Sequence, residues 1–220
     1  MEKTNKTFVK IKICGLKHKS NLFDVVEAGV DYVGMIFYEK SPRHVVDSLN
    51  PEEIWFLPDE VEKIGVFVNA SFDEIKKYSR LYQLNLIQLH GNESPEFCKQ
   101  VQDLGYRVIK VFGVDNEFDF NVLNAYKEVV DFFLFDTKSP IHGGTGITFD
   151  WNILSNYNLD IPIFVGGGVS LENLKELLDF NFPFLHSVDM NSKLELEPGL
   201  KDIAKVQKAV EIIHSQNLKH

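Results

Sequence analysis

Cysteine is scarce in this chain, with Cys14 and Cys98 the only two among 220 residues. Two cysteines without a CxxC pair build neither a disulfide framework nor a thiol metal or redox centre, so each thiol needs its own explanation. Long apolar runs are missing too. No stretch approaches the roughly 20 residues of a membrane helix, and the opening "MEKTNKTFVK" lacks the apolar core of a secretory leader. The expected location is the cytoplasm. Clustered basic charge is absent: 23 Lys and Arg stand against 32 Asp and Glu, for a net charge of −9. That argues against a nucleic-acid binder, and an anionic small ligand would need a local site built against the global charge. No GxGxxG follows the first apolar run, so dinucleotide binding has little support. No low-complexity linker divides the chain. Residues 1–220 are expected to form one domain, with 1–7 a loose N-terminal extension.

What is present is a recurring unit. Apolar, strand-like runs read "FVKIKIC", "DYVGMIF", "KIGVFVN", "NLIQLH", "RVIKVFG", "DFFLFD", "IPIFVG" and "FLHSVD". They end at Cys14, Phe37, Asn69, His90, Gly113, Asp136, Gly166 and Asp189, a step of roughly 20 to 30 residues that suits one strand plus one helix. Helix signals lie between them. Asn50-Pro51-Glu52-Glu53 offers an N-cap, a first-turn proline and acidic residues at the positive end of the dipole. Ser94-Pro95 opens a helix with Phe97, Val101 and Leu104 on one face before Gly105 closes it. Phe72, Ile75, Tyr78 and Tyr82 follow helical spacing, as do Leu171, Leu174 and Leu178 after Ser170, and Asn116–Glu128 is a further helix of weaker pattern. Eight alternations with largely continuous apolar strands predict an α/β chain folded as a single-domain (β/α)8 TIM barrel, with an open doubly wound sheet as the alternative.

In such a barrel the active site lies at the carboxyl ends of the strands, which makes the strand-end residues a roster of candidates. Cys14 and Asp136 are the most reactive side chains on it. Cys14 reads either as a small buried hydrophobe or as a thiol presented to a ligand. Asp136 either caps the following loop or is partly desolvated for proton transfer. The glycine-rich "SPIHGGTGITFDW" reads as a loop closing over a ligand or as a plain surface loop. In "FVGGGVSLEN", Gly167 and Gly168 let backbone amides approach an anion, at the place where barrels commonly hold phosphate. Asp189, Asn191 and Ser192 follow the eighth strand, and the latter two can donate to the same anion. Lys193 beside them adds charge or faces solvent. Arg43 in "EKSPRHV" is a fork for a carboxylate or a solvated loop arginine. Cys98, beside Phe97 and Val101, is assigned to packing.

The stretches "KICGL", "VGMIFYEKSPR", "IGVFVN", "IQLHGNE", "FDTKSPIHGGTGITFDW", "GGGVSLEN" and "PGLKD" occur in one order over nearly the whole chain. In this the sequence resembles the phosphoribosylanthranilate isomerase family. The resemblance implies an Amadori rearrangement in tryptophan biosynthesis, from N-(5-phosphoribosyl)anthranilate to a carboxyphenylamino deoxyribulose phosphate, with no cofactor and no metal. The implied partner is this small phosphorylated substrate, with no nucleic acid and no membrane, and the chain a monomer or homodimer. By the resemblance Asp136 is the general acid that opens the ribose ring, and Cys14 is the general base. A modestly lowered thiol pKa would suit that base. Arg43 pairs with the anthranilate carboxylate, Asp189 meets a ribose hydroxyl, Gln88 and His90 line the pocket, and Gly167, Gly168, Asn191 and Ser192 bind phosphate. Two departures stand out: "LKHKS" replaces the early threonine or serine, and the usual "DVSSG" reads Asp189-Met190-Asn191-Ser192-Lys193. Lys193 there forfeits the torsional freedom of glycine. Other readings are a metal-dependent pentose-phosphate epimerase, which needs several inward histidines where only His90 is in place, and a noncatalytic binding protein.

Overall fold

The computed structural model describes residues 8–138 and 148–218, so most of the glycine-rich stretch expected to close over a ligand, and the expected N-terminal extension, lie outside the described residues. Eight parallel strands close into a barrel in sequence order: β1 Lys10–Cys14, β2 Tyr32–Ile36, β3 Glu62–Phe67, β4 Leu86–Leu89, β5 Arg107–Val114, β6 Phe132–Thr137, β7 Ile163–Val165 and β8 Leu185–Met190. β1 pairs with β8 through Lys12 opposite Asp189, which seals the ring. The open sheet is thereby set aside. Every strand end falls within two residues of its expected position.

Alternation along each strand separates two cores. On β1, Ile11 and Ile13 belong to the large apolar layer under the helices. Lys12 and Cys14, on the opposite face, enter the barrel. A smaller cluster of Tyr32, Ile64, Leu86, Ile109, Val111, Phe132, Leu134 and Phe164 fills the interior. On β8 the pairing slips: Ile163 sits opposite Leu185 but Phe164 sits opposite Ser187. His186 is the extra residue of a β-bulge, and it packs against Tyr32, Phe132 and Phe164.

The five α-helices are α1 Lys19–Glu27, α2 Phe72–Leu81, α3 Pro95–Gln102, α4 Leu174–Asp179 and α5 Ile203–Asn217. Two of them lie where the sequence reads them: Ser94 caps α3 at Phe97 N, and α2, read from the spacing of Phe72, Ile75, Tyr78 and Tyr82, is opened by a capping box of Ser71 and Glu74 that the sequence reading did not single out. Elsewhere the structure departs from expectation. The Asn50 capping box holds only a 3-10 turn, Pro51–Ile54, because Pro58 follows within two turns and cannot continue a helix. Asn116–Glu128 yields another 3-10 stretch, Phe120–Ala125, where Asp119 accepts from Asn121 N and Asn124 donates to Asn121 O, local bonds that compete with a helix. The helix expected right after Ser170 begins only at Leu174, since Asn173 folds back to accept from Ser170 N and donate to Gly168 O. An unexpected hairpin, β9 Glu195–Glu197 and β10 Leu200–Lys201, turns at Pro198-Gly199, with Gly199 at φ 92°. Among the described residues no helix is long and apolar enough to cross a membrane.

Candidate active site

The carboxyl ends of the strands enclose a pocket, and all ten candidate residues line it: Cys14, Arg43, Gln88, His90, Asp136, Gly167, Gly168, Asp189, Asn191 and Ser192. The sequence reading therefore located the pocket. It did not anticipate how the charged groups are tied to one another.

Cys14 closes β1 with 5% of its surface exposed. A side chain at the register-paired Gly34 would put its Cβ 2.8 Å from Cys14 Sγ, so glycine at that position makes room for the thiol. Burial pushes the thiol up from its ordinary value, and the Lys12 ammonium acts against that rise without cancelling it. The expected modest lowering is corrected accordingly. Lys12 is fully buried, with Nζ 2.8 Å from Asp189 Oδ1. Burial alone would lower the ammonium, but the Asp189 charge and the Cys14 sulfur hold it above its usual value.

Asp136 caps the following loop with one oxygen and turns the other toward His90. Oδ1 accepts from Thr137 N at 2.8 Å, while Oδ2 lies 3.4 Å from His90 Nε2. His90 Nδ1 is 3.2 Å from Gln88 Nε2, so Gln88 fixes the ring that faces the carboxylate, and Gln88 Oε1 is buried without a partner among the described residues. Gly167, at φ 76°, passes so close that an added Cβ would sit 2.7 Å from Asp136 Oδ1 and 2.3 Å from Thr137 N. Its glycine is required by the carboxylate's neighbourhood as well as by any phosphate.

Arg43 is neither a free fork nor a solvated loop residue. Nε donates to Glu195 Oε1 at 2.9 Å and Nη2 to Oε2 at 2.6 Å, so its bidentate edge is held by the protein's own carboxylate. The expectation of a fork aimed wholly at ligand is corrected: Nε and Nη2 are engaged, which leaves Nη1. Glu195 also accepts from Lys201 Nζ at 2.7 Å, and that ammonium donates to Asn191 Oδ1 at 2.6 Å. Burial would raise Glu195, but Arg43 and Lys201 together keep its carboxyl below the usual range. With Oδ1 bound to Lys201, Asn191 presents Nδ2 as a donor.

The loops after β7 and β8 meet at one end of the pocket, where Gly167 and Gly168 have φ of 76° and 71° and Ser192 opens a 3-10 turn, Ser192–Leu194. Lys193 lies within that turn. Positive φ among the described non-glycine residues occurs only at Asn69, Gln83 and Asn181, so the lost glycine leaves no strained torsion at Lys193. Cys98 is fully buried on α3 with its thiol pushed up to about 12 by burial, in line with packing.

Sequence reasoning missed Lys12, Glu195, Lys201, Gly34 and Asn173. For Lys12 the signal was in "KIKIC", where strict alternation puts Lys12 on the face of Cys14. For the hairpin it was "LELEPGLK", two short alternating runs about a Pro-Gly turn.

Comparison with known proteins bears on all of this. The profile of the N-(5'-phosphoribosyl)anthranilate (PRA) isomerase family matches residues 11–212. The N-(5'-phosphoribosyl)anthranilate isomerase of Parabacteroides distasonis is 39% identical over 208 residues, which is 93% of each chain. Among solved structures, phosphoribosyl anthranilate isomerase from Thermotoga maritima superposes with a TM-score of 0.85 at 35% identity, covering 94% of this chain and 99% of that one. A phosphoribosyl anthranilate isomerase in complex with reduced 1-(o-carboxyphenylamino)-1-deoxyribulose 5-phosphate superposes at 0.79 with 32% identity over 94% of this chain and 99% of that one. By profile, sequence identity and fold together, this chain belongs to the N-(5'-phosphoribosyl)anthranilate isomerase family.

Proposed function

We propose that this chain performs the family's isomerisation in tryptophan biosynthesis with Asp136 as general acid and Cys14 as general base. The reaction is the Amadori rearrangement of N-(5-phosphoribosyl)anthranilate to 1-(2-carboxyphenylamino)-1-deoxy-D-ribulose 5-phosphate. What supports the assignment of roles is that a carboxyl and a thiol, at the ends of β6 and β1, face one pocket whose far loops carry anion-binding backbone.

Asp136 donates its proton to the ribose ring oxygen as the bond from that oxygen to the anomeric carbon breaks, leaving a protonated Schiff base with the anthranilate nitrogen. The iminium withdraws electrons and acidifies the proton on the sugar's second carbon. Cys14 as thiolate takes that proton, the electron pair forms the carbon–carbon double bond, and nitrogen becomes neutral. The resulting enolamine relaxes to the ketose. Gln88 and His90 hold the Asp136 carboxyl in place, and Asp189 contacts a ribose hydroxyl. The Nη1 group that Glu195 leaves on Arg43 takes the anthranilate carboxylate. Gly167, Gly168, Asn191 Nδ2 and Ser192 take the phosphate. This is the ligand class held by the solved relative in complex with a reduced product. The closed barrel, whose elements run from Lys10 to Asn217, supports reading the chain as one domain.

The deciding assay follows loss of anthranilate fluorescence on freshly generated substrate, with wild type, Cys14→Ala and Asp136→Asn side by side. Each variant is expected to lose turnover while keeping its circular dichroism. Near-normal turnover in either variant would overturn the role given to that residue.

A further inference from the structure

The interior of a barrel is a poor place for an ammonium group, because burial of a charge costs several kcal/mol unless it is paired. Lys12 has no exposed surface and, among the described residues, one carboxylate partner, Asp189, at 2.8 Å, and Cys14 lies two residues along the same inward face of β1, where the ammonium and the sulfur act on each other. A stabilising ion pair alone would be as well served on the surface. A positive charge beside the thiol of the proposed base has a chemical use.

We propose that Lys12 is the positioning residue for the base: its walled-in ammonium supplies the fixed positive charge against which Cys14 forms a thiolate, with Asp189 holding that ammonium in place. The inference rests on Cys14 being the base.

The charges around the sulfur can be counted by element. From β1 comes Lys12, from β8 Asp189, from β10 Lys201, and from the segment after β2 Arg43. Glu195 on β9 binds both Arg43 and Lys201. Asp136 of β6 and His90 after β4 act on Asp189 from its far side. Next to the thiol, three cations meet two carboxylates and one positive charge is left over, which a thiolate balances. Arg43 and Lys201 share the one carboxylate of Glu195 and come from outside β1, whereas Lys12 stands on the inward face of Cys14's own strand, two residues from it. Gly34 complements this by leaving space for Sγ on the β2 side.

The test is a pH titration of the Cys14 thiolate by its ultraviolet absorbance, taken as the difference from Cys14→Ala, in wild type, Lys12→Met and Lys12→Arg. Lys12→Met leaves Asp189 unpaired, so Lys12→Met/Asp189→Asn is titrated as well to guard against failure to fold. The expected result is a thiolate midpoint moved up by about one pH unit or more in the Met variants, with the acid limb of kcat following it and turnover partly recovered at alkaline pH, while Lys12→Arg keeps the wild-type midpoint. An unmoved midpoint in folded Lys12→Met or in the double variant overturns the proposal. Failure of the underlying reading shows differently: Cys14→Ala would then turn over normally even though the midpoint moves, which overturns a catalytic use for the Lys12 charge.

Discussion

At the amino-terminal end of its strands the barrel is filled by Tyr32, Phe132, Phe164 and His186, with ring centroids 4.8 to 5.9 Å apart and one bond of 2.8 Å between Tyr32 Oη and His186 Nε2. At the carboxyl end the same interior holds Lys12 against Asp189, and Arg43 and Lys201 against Glu195. Aromatic packing gains free energy from every contact and leaves nothing to titrate near neutrality, His186 being held down at about 4 by burial and then by Lys10 and Arg107. Charged groups packed in pairs gain little net stability, since desolvation offsets attraction. The molecule keeps its stability at one end and its chemistry at the other.

Changes at the two ends should therefore separate in their readouts. The largest effect is expected at the carboxyl end: Cys14→Ala and Asp136→Asn should each lower kcat by about 10²–10⁴-fold with the melting temperature little changed, measured by steady-state fluorescence and calorimetry. Next is Glu195→Ala, which strands two largely buried cations. It should cost about 3–5 kcal/mol in denaturant unfolding and also raise KM, because Arg43 loses the carboxylate that orients it. Loss of stability with KM unchanged would mean that Arg43 does not meet substrate. At the other end Tyr32→Phe removes one hydrogen bond and should cost about 1 kcal/mol with kcat intact. A fall in kcat there would break the division outright.

The smallest effect sharpens it through pH. His186 is depressed when folded and ordinary when unfolded, so between about 6.5 and about 4 the unfolded chain binds more protons. Its contribution is complete above 6.5 and declines as pH falls through that window, by no more than about 1.4 kcal/mol per pH unit and by less where solvent screens the ring. His186→Gln should flatten the melting temperature across this range. Glu195, held below its usual value, loses its contribution only at lower pH, as the medium passes beneath the ordinary carboxylate pKa. An unchanged slope in His186→Gln would assign the acid sensitivity to the charged end.

Legibility in the sequence followed the range of the interaction. Strand ends, Cys14 and Asp136 could be read because period-two alternation and the step between units are local. Ser94 with Pro95, and the spacing of Phe72, Ile75, Tyr78 and Tyr82, are likewise local signals, and α3 and α2 form where these put them. The pairing of Arg43 with Glu195 joins residues 152 positions apart and had no local signature. The 3-10 turns at Pro51–Ile54 and Phe120–Ala125 failed as α-helices because a downstream proline and competing Asp and Asn side chains outweighed good starts. Lys12 was legible in principle: the alternation that picked out Cys14 also put Lys12 inside, and a lysine inside a barrel is a question in itself.

The bulge on β8 has a bearing on all of these charges. Leu185 and Val188 both face the helices although they are three apart, which a regular strand would forbid, and the extra residue at His186 supplies the half-turn between them. Above that point the parity of the strand delivers Asp189 to Lys12; below it, the parity delivers His186 to Tyr32. One residue thus acts as a phase shifter joining two halves of opposite handedness in side-chain order. Deleting it would leave a regularly alternating strand with Asp189 still inside and only the imidazole lost, whereas pairing every residue of β8 without the bulge would turn one half inside out and set an aliphatic side chain in place of either the carboxylate at the top or the imidazole at the base.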